Sequence, residues 1–154
     1  GEPALASYME EQPKRRSEPI VSRRMLEQIV FSGTVMTVVG LAFFQSNCID
    51  SLFRGAPDHI YTYTGFFCVF IMMAVANAFN VRTDELQVLK NLQQNPAFWR
   101  VMLLIVAVQI GMTYLGGSVL RTVPLVAQEW LVVAGCALLV LAAGRIFKLF
   151  KLNT

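Results

Sequence analysis

Four long apolar stretches restrict the folds open to this sequence. They cover approximately residues 29–44, 60–79, 101–115 and 131–146. The first three contain no Asp, Glu, Lys or Arg, and the fourth meets its first charge at Arg145. With their flanks, each reaches the roughly 20 residues with which a helix crosses a hydrocarbon core of about 30 Å. We therefore predict four transmembrane helices. The predicted spans are about 29–49, 60–80, 98–116 and 129–147.

The character of these stretches favours helices over a barrel. Lipid offers the backbone no hydrogen-bonding partner, so only helices and closed barrels cross it. Barrel strands alternate apolar and polar residues, and these stretches do not. The chain of 154 residues is 55% apolar and 15% charged, against roughly 45–50% and about 25% in soluble domains. The predicted fold class is an all-α membrane protein, a bundle of four transmembrane helices. The composition argues against a soluble enzyme and a nucleic-acid partner.

The basic residues predict the orientation of the bundle. Eleven of the 13 lie in the N-terminal segment, in the loop after the second span or in the C-terminal tail. The opposite loops hold only Arg54 and Arg121. The positive-inside rule then places both termini in the cytoplasm. We expect a cytoplasmic loop and interfacial turn at 1–28, a transmembrane domain at 29–150 and a cytoplasmic tail at 151–154.

Motifs for catalysis, cofactors and metals are missing from the sequence. It has no GxxxxGK[ST], GxGxxG, HExxH or GxSxG pattern. Cys48, Cys68 and Cys136 are far apart and form no CxxC, and His59 is the lone histidine. We predict no catalytic, cofactor-binding or metal-binding residue in this chain. The lipid bilayer is its predicted surrounding partner.

Polar residues within the spans are few. Asn77 and Asn80 lie near the end of the second span, and Gln109 and Thr113 share one face of the third. The favoured interpretation is hydrogen bonding between helices, and the alternative is a place on an ion path. Calcium prefers six to eight oxygen ligands. Because no span core holds a carboxylate, these four helices alone would make a poor calcium or proton site.

Small residues recur at helical spacing in three spans and predict close helix packing. The stripes are Gly33, Thr37 and Gly40 in the first span, Ala74 and Ala78 in the second, and Cys136, Val140 and Gly144 in the fourth.

Several segments resemble the membrane region of P-type calcium pumps. Ala-Leu-Ala at 4–6, a basic run and Glu-Pro-Ile-Val-Ser-Arg-Arg-Met at 18–25 resemble the loop between membrane helices six and seven of such pumps. Asn-Ala-Phe-Asn at 77–80 resembles the end of helix eight, and Asn-Pro-Ala-Phe-Trp at 95–99 the entry to helix nine. Gly-Gly at 116–117, Thr-Val-Pro-Leu at 122–125 and Glu-Trp-Leu at 129–131 are similar to the connection into helix ten.

This resemblance implies the C-terminal membrane region of a P-type cation pump, helices seven to ten, with Ca²⁺ as the most fitting ion. The parent would be an ATP-driven translocase that uses ATP and Mg²⁺. Its partners for this chain would be the remaining helices and the cytoplasmic domains. The phosphorylation motif DKTGT and the TGE and GDGxxD motifs are absent here. The chain alone therefore carries no catalytic machinery of that kind.

One position refines the expected stoichiometry. In sarcoplasmic-reticulum pumps a glutamate three residues before the helix-eight asparagine helps to bind a first Ca²⁺. The position that matches it here is Ala74. A methyl group supplies no oxygen ligand. The resemblance therefore implies a lost first-ion site and one transported ion per cycle.

The alternative is a free-standing four-helix membrane protein that acts as an accessory or scaffold. A DKTGT motif encoded upstream of Gly1 would favour the pump, and a start codon just before Gly1 the alternative. The tail after Phe150 is short, so we expect a microbial plasma membrane as the location.

Overall fold

The structure, a computed structural model, describes residues 21–82, 86, 87, 89 and 92–152. In these ranges the chain forms helices and no strand. The α-helices are α1 (Arg23–Gln45), α2 (Asn47–Asp50), α3 (Ile60–Arg82), α4 (Pro96–Leu115), α5 (Gly117–Leu120) and α6 (Ala127–Leu152), with a 3-10 turn at Leu92–Gln94 before α4. Four of them, α1, α3, α4 and α6, are long and apolar enough to cross a membrane. The predicted all-α fold with four spanning helices is confirmed.

The ends of the first helix differ from the expected span. α1 begins at Arg23 and ends at Gln45, several residues before the predicted limits of 29 and 49. Ser22 caps its start by accepting a hydrogen bond from the Met25 amide at 3.2 Å. Ser46 ends it and caps α2 by accepting one from the Ile49 amide at 3.3 Å. Polar caps rather than hydropathy set both ends. The other three spanning helices begin within two residues of the prediction.

Some predicted features lie outside the described residues. They are the predicted cytoplasmic segment up to residue 20, Lys90 and residues 153–154. The first of these contains most of the residues that resemble the loop between helices six and seven of calcium pumps. The orientation of the bundle and the domain limits stay predictions.

The central pair of the bundle is α3 with α6, and the two helices run in the same direction. The Lys148 ammonium near the end of α6 donates to the Asn80 carbonyl near the end of α3 at 2.6 Å. At the opposite end, the Val123 amide shortly before α6 donates to the Thr64 hydroxyl near the start of α3 at 3.3 Å. The buried core between them comes mainly from their own apolar side chains. Its members include Cys68, Val69, Met73, Val133, Cys136 and Val140.

The outer helices run against this pair. Phe31 near the start of α1 stacks on Phe147 near the end of α6, with ring centroids 4.3 Å apart. Phe98 at the start of α4 meets Phe79 at the end of α3, with centroids 5.1 Å apart. The four helices therefore alternate in direction. We call the end with residues 46–59 and 116–126 the loop end, and the opposite end the basic end.

Candidate functional site

The middle of the bundle holds a polar cluster between α3 and α4. Gln109 is 3% exposed and Thr113 is fully buried. The Gln109 Nε2 donates to Cys68 Sγ on α3 at 3.5 Å, and Thr113 Oγ1 lies 3.2 Å from the same sulfur. Thr113 also donates to the Gln109 carbonyl at 2.8 Å. Gln109 and Thr113, which are predicted to share one face of the helix, thus both face α3. Their contact with Cys68 is not predicted from the sequence.

Asn80 forms a second polar cluster, at the basic end between α3 and α6. It is 2% exposed, and its Nδ2 donates to the Val140 carbonyl at 2.8 Å. A side chain at Gly144 would occupy the space of the Asn80 amide, so the small-residue stripe of α6 has a close contact here. The buried Lys148 places a positive charge on one of the last carbonyls of α3, where a helix end is partially negative.

Asn77 and Ala74 lie on α3 but outside the middle cluster. The Oδ1 atoms of Asn77 and Asn80 are buried and have no hydrogen-bond partner among the described residues. Ala74 is exposed on the outside of the four helices. Cys68 and Asn80 are about 18 Å apart along α3, at 1.5 Å per residue. The structure therefore places Gln109 and Thr113 in a different cluster from Asn80, and the alternative role of these residues and Asn77 on an ion path stays a prediction.

The loop end contains the densest polar network, around Glu129 at the start of α6. Its side chain is fully buried. One oxygen accepts from the backbone amide and the Nε of Arg54, both at 3.0 Å. The other accepts from Arg54 Nη2 at 3.0 Å and from the Val126 amide at 2.8 Å. Arg54 also donates to the Pro124 carbonyl and lies 4.1 Å from the centre of the Tyr61 ring.

This network joins the two connecting segments of the loop end. Hydrogen bonds to the Glu129 carboxylate raise the pKa of the Arg54 guanidinium above its usual value. Charge-assisted, two-point pairing of this kind fixes geometry as well as energy. From the sequence, Arg54 is predicted only as a charge of a loop, and its pairing with Glu129 is not predicted. The sequence feature that could have indicated this pair is that Arg54 and Glu129 carry opposite charges and each lies next to a predicted span, on the same side of the membrane.

Smaller contacts reinforce the same end. The Tyr114 hydroxyl at the end of α4 donates to the Leu125 carbonyl at 2.7 Å, and Trp130 Nε1 donates to Tyr114 at 3.1 Å. The Thr62 hydroxyl donates to Asp50 at 2.7 Å and lowers the pKa of that carboxyl below its ordinary value. Within the described ranges, no group of three or more His, Cys, Asp or Glu could hold a metal ion.

Comparisons with known proteins agree with this architecture. The sequence profile of the family described as cation transporting ATPase, C-terminus, matches residues 1–150. Plasma membrane calcium-transporting ATPase 3 of Rattus norvegicus is 32% identical over 142 residues, which is 84% of this chain and 11% of the relative. Plasma membrane calcium-transporting ATPase 2 of Oreochromis mossambicus is 29% identical over 138 residues, 84% of this chain and 12% of the relative.

A more distant relative is calcium-transporting ATPase PAT1 of Dictyostelium discoideum, 26% identical over 139 residues, 84% of this chain and 12% of the relative. The chain thus spans only about a tenth of the length of these relatives. No solved structure matches it. The profile match over residues 1–150 and the four spanning helices lead to one conclusion: the chain belongs to the family of cation-transporting ATPase C-terminal regions.

Proposed function

We propose that this chain is the transmembrane support module of an ATP-driven calcium pump and that it carries no ion site of its own. The relatives are named as calcium-transporting ATPases, and the chain corresponds to a small part of each. In the parent, ATP and Mg²⁺ would act on cytoplasmic domains, and Ca²⁺ would cross between other helices. The module would hold its place in the bilayer beside them. A microbial plasma membrane stays a prediction.

One observation carries this proposal: several polar side chains of the bundle interior are engaged in contacts between its own helices, although the Oδ1 atoms of Asn77 and Asn80 have no partner among the described residues. Gln109 and Thr113 contact Cys68, and the Asn80 amide nitrogen is bound to α6. The Glu129 carboxylate is surrounded by donors from Arg54 and Val126. A Ca²⁺ site needs several convergent oxygen ligands. These contacts favour helix association over ion coordination.

The proposed stoichiometry is one Ca²⁺ per cycle. Ala74 presents a methyl group on the exposed side of α3, where a carboxylate would be needed for a second ion. The buried Oδ1 of Asn77, one turn further along α3, is a single neutral ligand. One amide oxygen is far from the six to eight that Ca²⁺ prefers.

The test is the number of Ca²⁺ ions bound per phosphorylated site in the full-length gene product. We expect one for the natural sequence, and two would contradict the proposed stoichiometry. Ala74→Glu introduces a carboxylate, and we expect it to change ion binding, with Val81→Glu at another exposed position of the same helix as the control. Equal behaviour of the two variants would contradict the mapping of Ala74. Failure of the natural protein to bind Ca²⁺ would overturn the choice of ion.

A further inference from the structure

A pocket at the loop end lies outside every contact described above. It has a volume of about 460 Å³ and opens between the first turns of α3 and the short helix α5. Asp58, just before α3, and Arg121, just after α5, contribute opposite charges to its lining. Its apolar wall includes Ile60, Phe67 and Leu120. The volume lies within the roughly 300–1,000 Å³ typical of small-molecule sites. We call it the interfacial pocket.

The two charges of this pocket are not used by the fold. The side chains of Asp58 and Arg121 take part in no hydrogen bond or ion pair within the described part of the chain. By contrast, two other charged residues at the same end have partners: Arg54 is bound to Glu129, and Asp50 is bound to Thr62. The charges of the interfacial pocket therefore remain available to a ligand.

The two threonine hydroxyls of the pocket are already committed. Thr64 donates to the Ile60 carbonyl at 2.8 Å, and Thr122 donates to the Met112 carbonyl at 3.0 Å. Recognition of charge would therefore rest on Asp58 and Arg121. A ligand that matches both needs a positive and a negative group.

The depth of the pocket in the bilayer points to a lipid. It lies where α3 begins its membrane span at Ile60, so its charged side belongs to the headgroup region and its apolar side to the edge of the hydrocarbon. Tyr63 lines it and is half exposed, as is common for aromatic residues at a membrane interface. An amphiphile with a charged head fits both halves.

We propose that the interfacial pocket binds phosphatidylethanolamine, with Arg121 on the phosphate and Asp58 on the ammonium. A guanidinium pairs with phosphate through two parallel hydrogen bonds. The primary ammonium has three donors for a carboxylate, whereas the quaternary ammonium of phosphatidylcholine has none. Phosphatidylglycerol offers no positive group to Asp58. The proposal does not depend on which ion the parent transports.

The experiment measures lipid binding to the full-length gene product in detergent, by native mass spectrometry. Phosphatidylethanolamine, phosphatidylcholine and phosphatidylglycerol with identical acyl chains are the probes. We expect tighter binding of phosphatidylethanolamine, and an approximately tenfold loss in Arg121→Ala, as for a lost charge-assisted hydrogen bond. Asp58→Asn should remove the preference over phosphatidylcholine. Arg100→Ala, an exposed arginine at the start of α4, is the matched control.

Three results would overturn the proposal. They are equal binding of the three lipids, unchanged binding in both pocket variants, or an equal loss in Arg100→Ala. If Arg121→Ala fails to fold, Arg121→Lys keeps the charge and loses the two-point geometry. We then expect weaker binding with the lipid preference retained, and unchanged affinity in both Arg121→Lys and Asp58→Asn would contradict the proposal.

Discussion

At the loop end, the segment before α3 is joined to the start of α6 through a buried carboxylate that accepts four hydrogen bonds. At the basic end, the same two helices meet through a neutral amide and a lysine that binds a backbone carbonyl. The contact at the loop end connects two segments that are distant in sequence. The contacts at the basic end connect the two helices directly. The main contact at the loop end is therefore an ion pair, which smaller hydrogen bonds reinforce, whereas the basic end depends on close approach of the helices.

The largest loss of stability is expected where a substitution leaves a buried charge without its partner. Arg54→Ala leaves the buried Glu129 carboxylate without its counterion. Loss of one member of a fully buried pair costs about 3–5 kcal/mol. Because the Arg54 side chain is 42% exposed, solvent screening lowers this cost, but the melting temperature of the detergent-solubilised protein should still fall clearly. Arg100→Ala removes an exposed arginine that makes no hydrogen bond or ion pair with the described residues and should change the melting temperature little. Similar falls in the two variants would contradict the importance of the pair.

A smaller loss is expected at the basic end. Lys148→Met keeps the length and apolar stem of the side chain but removes the donor to the Asn80 carbonyl. A hydrogen bond from a charged group contributes about 1.5–3 kcal/mol. Thermal unfolding should show a moderate decrease for this variant and almost none for Arg145→Met, an exposed position on the same helix. If both variants melt at the natural temperature, the buried lysine does not stabilise this end.

Alanine substitutions at two glycines of α6 distinguish the effect of helix propensity on stability from the effect of close helix packing. An added methyl at Gly144 collides with the Asn80 amide, while at Gly135 it meets nothing within 4 Å. Overpacking costs about 1–3 kcal/mol, and the better helix propensity of alanine offsets about 1 kcal/mol. Gly144→Ala should therefore lower the melting temperature, and Gly135→Ala should leave it equal or higher. The reverse order would show that the helices are not tightly packed at Asn80.

The smallest expected effect is the dependence of stability on pH that Asp50 contributes at the loop end. Because the pKa of Asp50 is below its ordinary value of 3.8, its stabilising contribution is complete above that value and disappears as the pH falls through the lowered pKa. Thr62→Val removes the hydrogen bond that lowers it, so the Asp50 carboxyl should then titrate at higher pH. Side-chain carbon NMR of labelled aspartate can follow this titration. An unchanged Asp50 titration in Thr62→Val would contradict the assigned cause.

Hydropathy alone predicted the number and type of the spanning helices, because each had to contain a long uncharged run. The ends of α1 were less predictable, since they depend on serine caps at Ser22 and Ser46. The shared face of Gln109 and Thr113 followed from their spacing of four residues. The pair of Arg54 and Glu129 did not, because 75 residues separate them in sequence and no local pattern encodes such a contact.

The most direct test of the support role compares stability with ion affinity in Gln109→Leu. This change removes the contact with Cys68 from the middle of the bundle. If the module only holds helices together, the melting temperature of the full-length protein falls while its Ca²⁺ affinity, measured on the remaining folded protein, stays the same. A loss of Ca²⁺ affinity at an unchanged melting temperature would place Gln109 on the ion path and contradict the account.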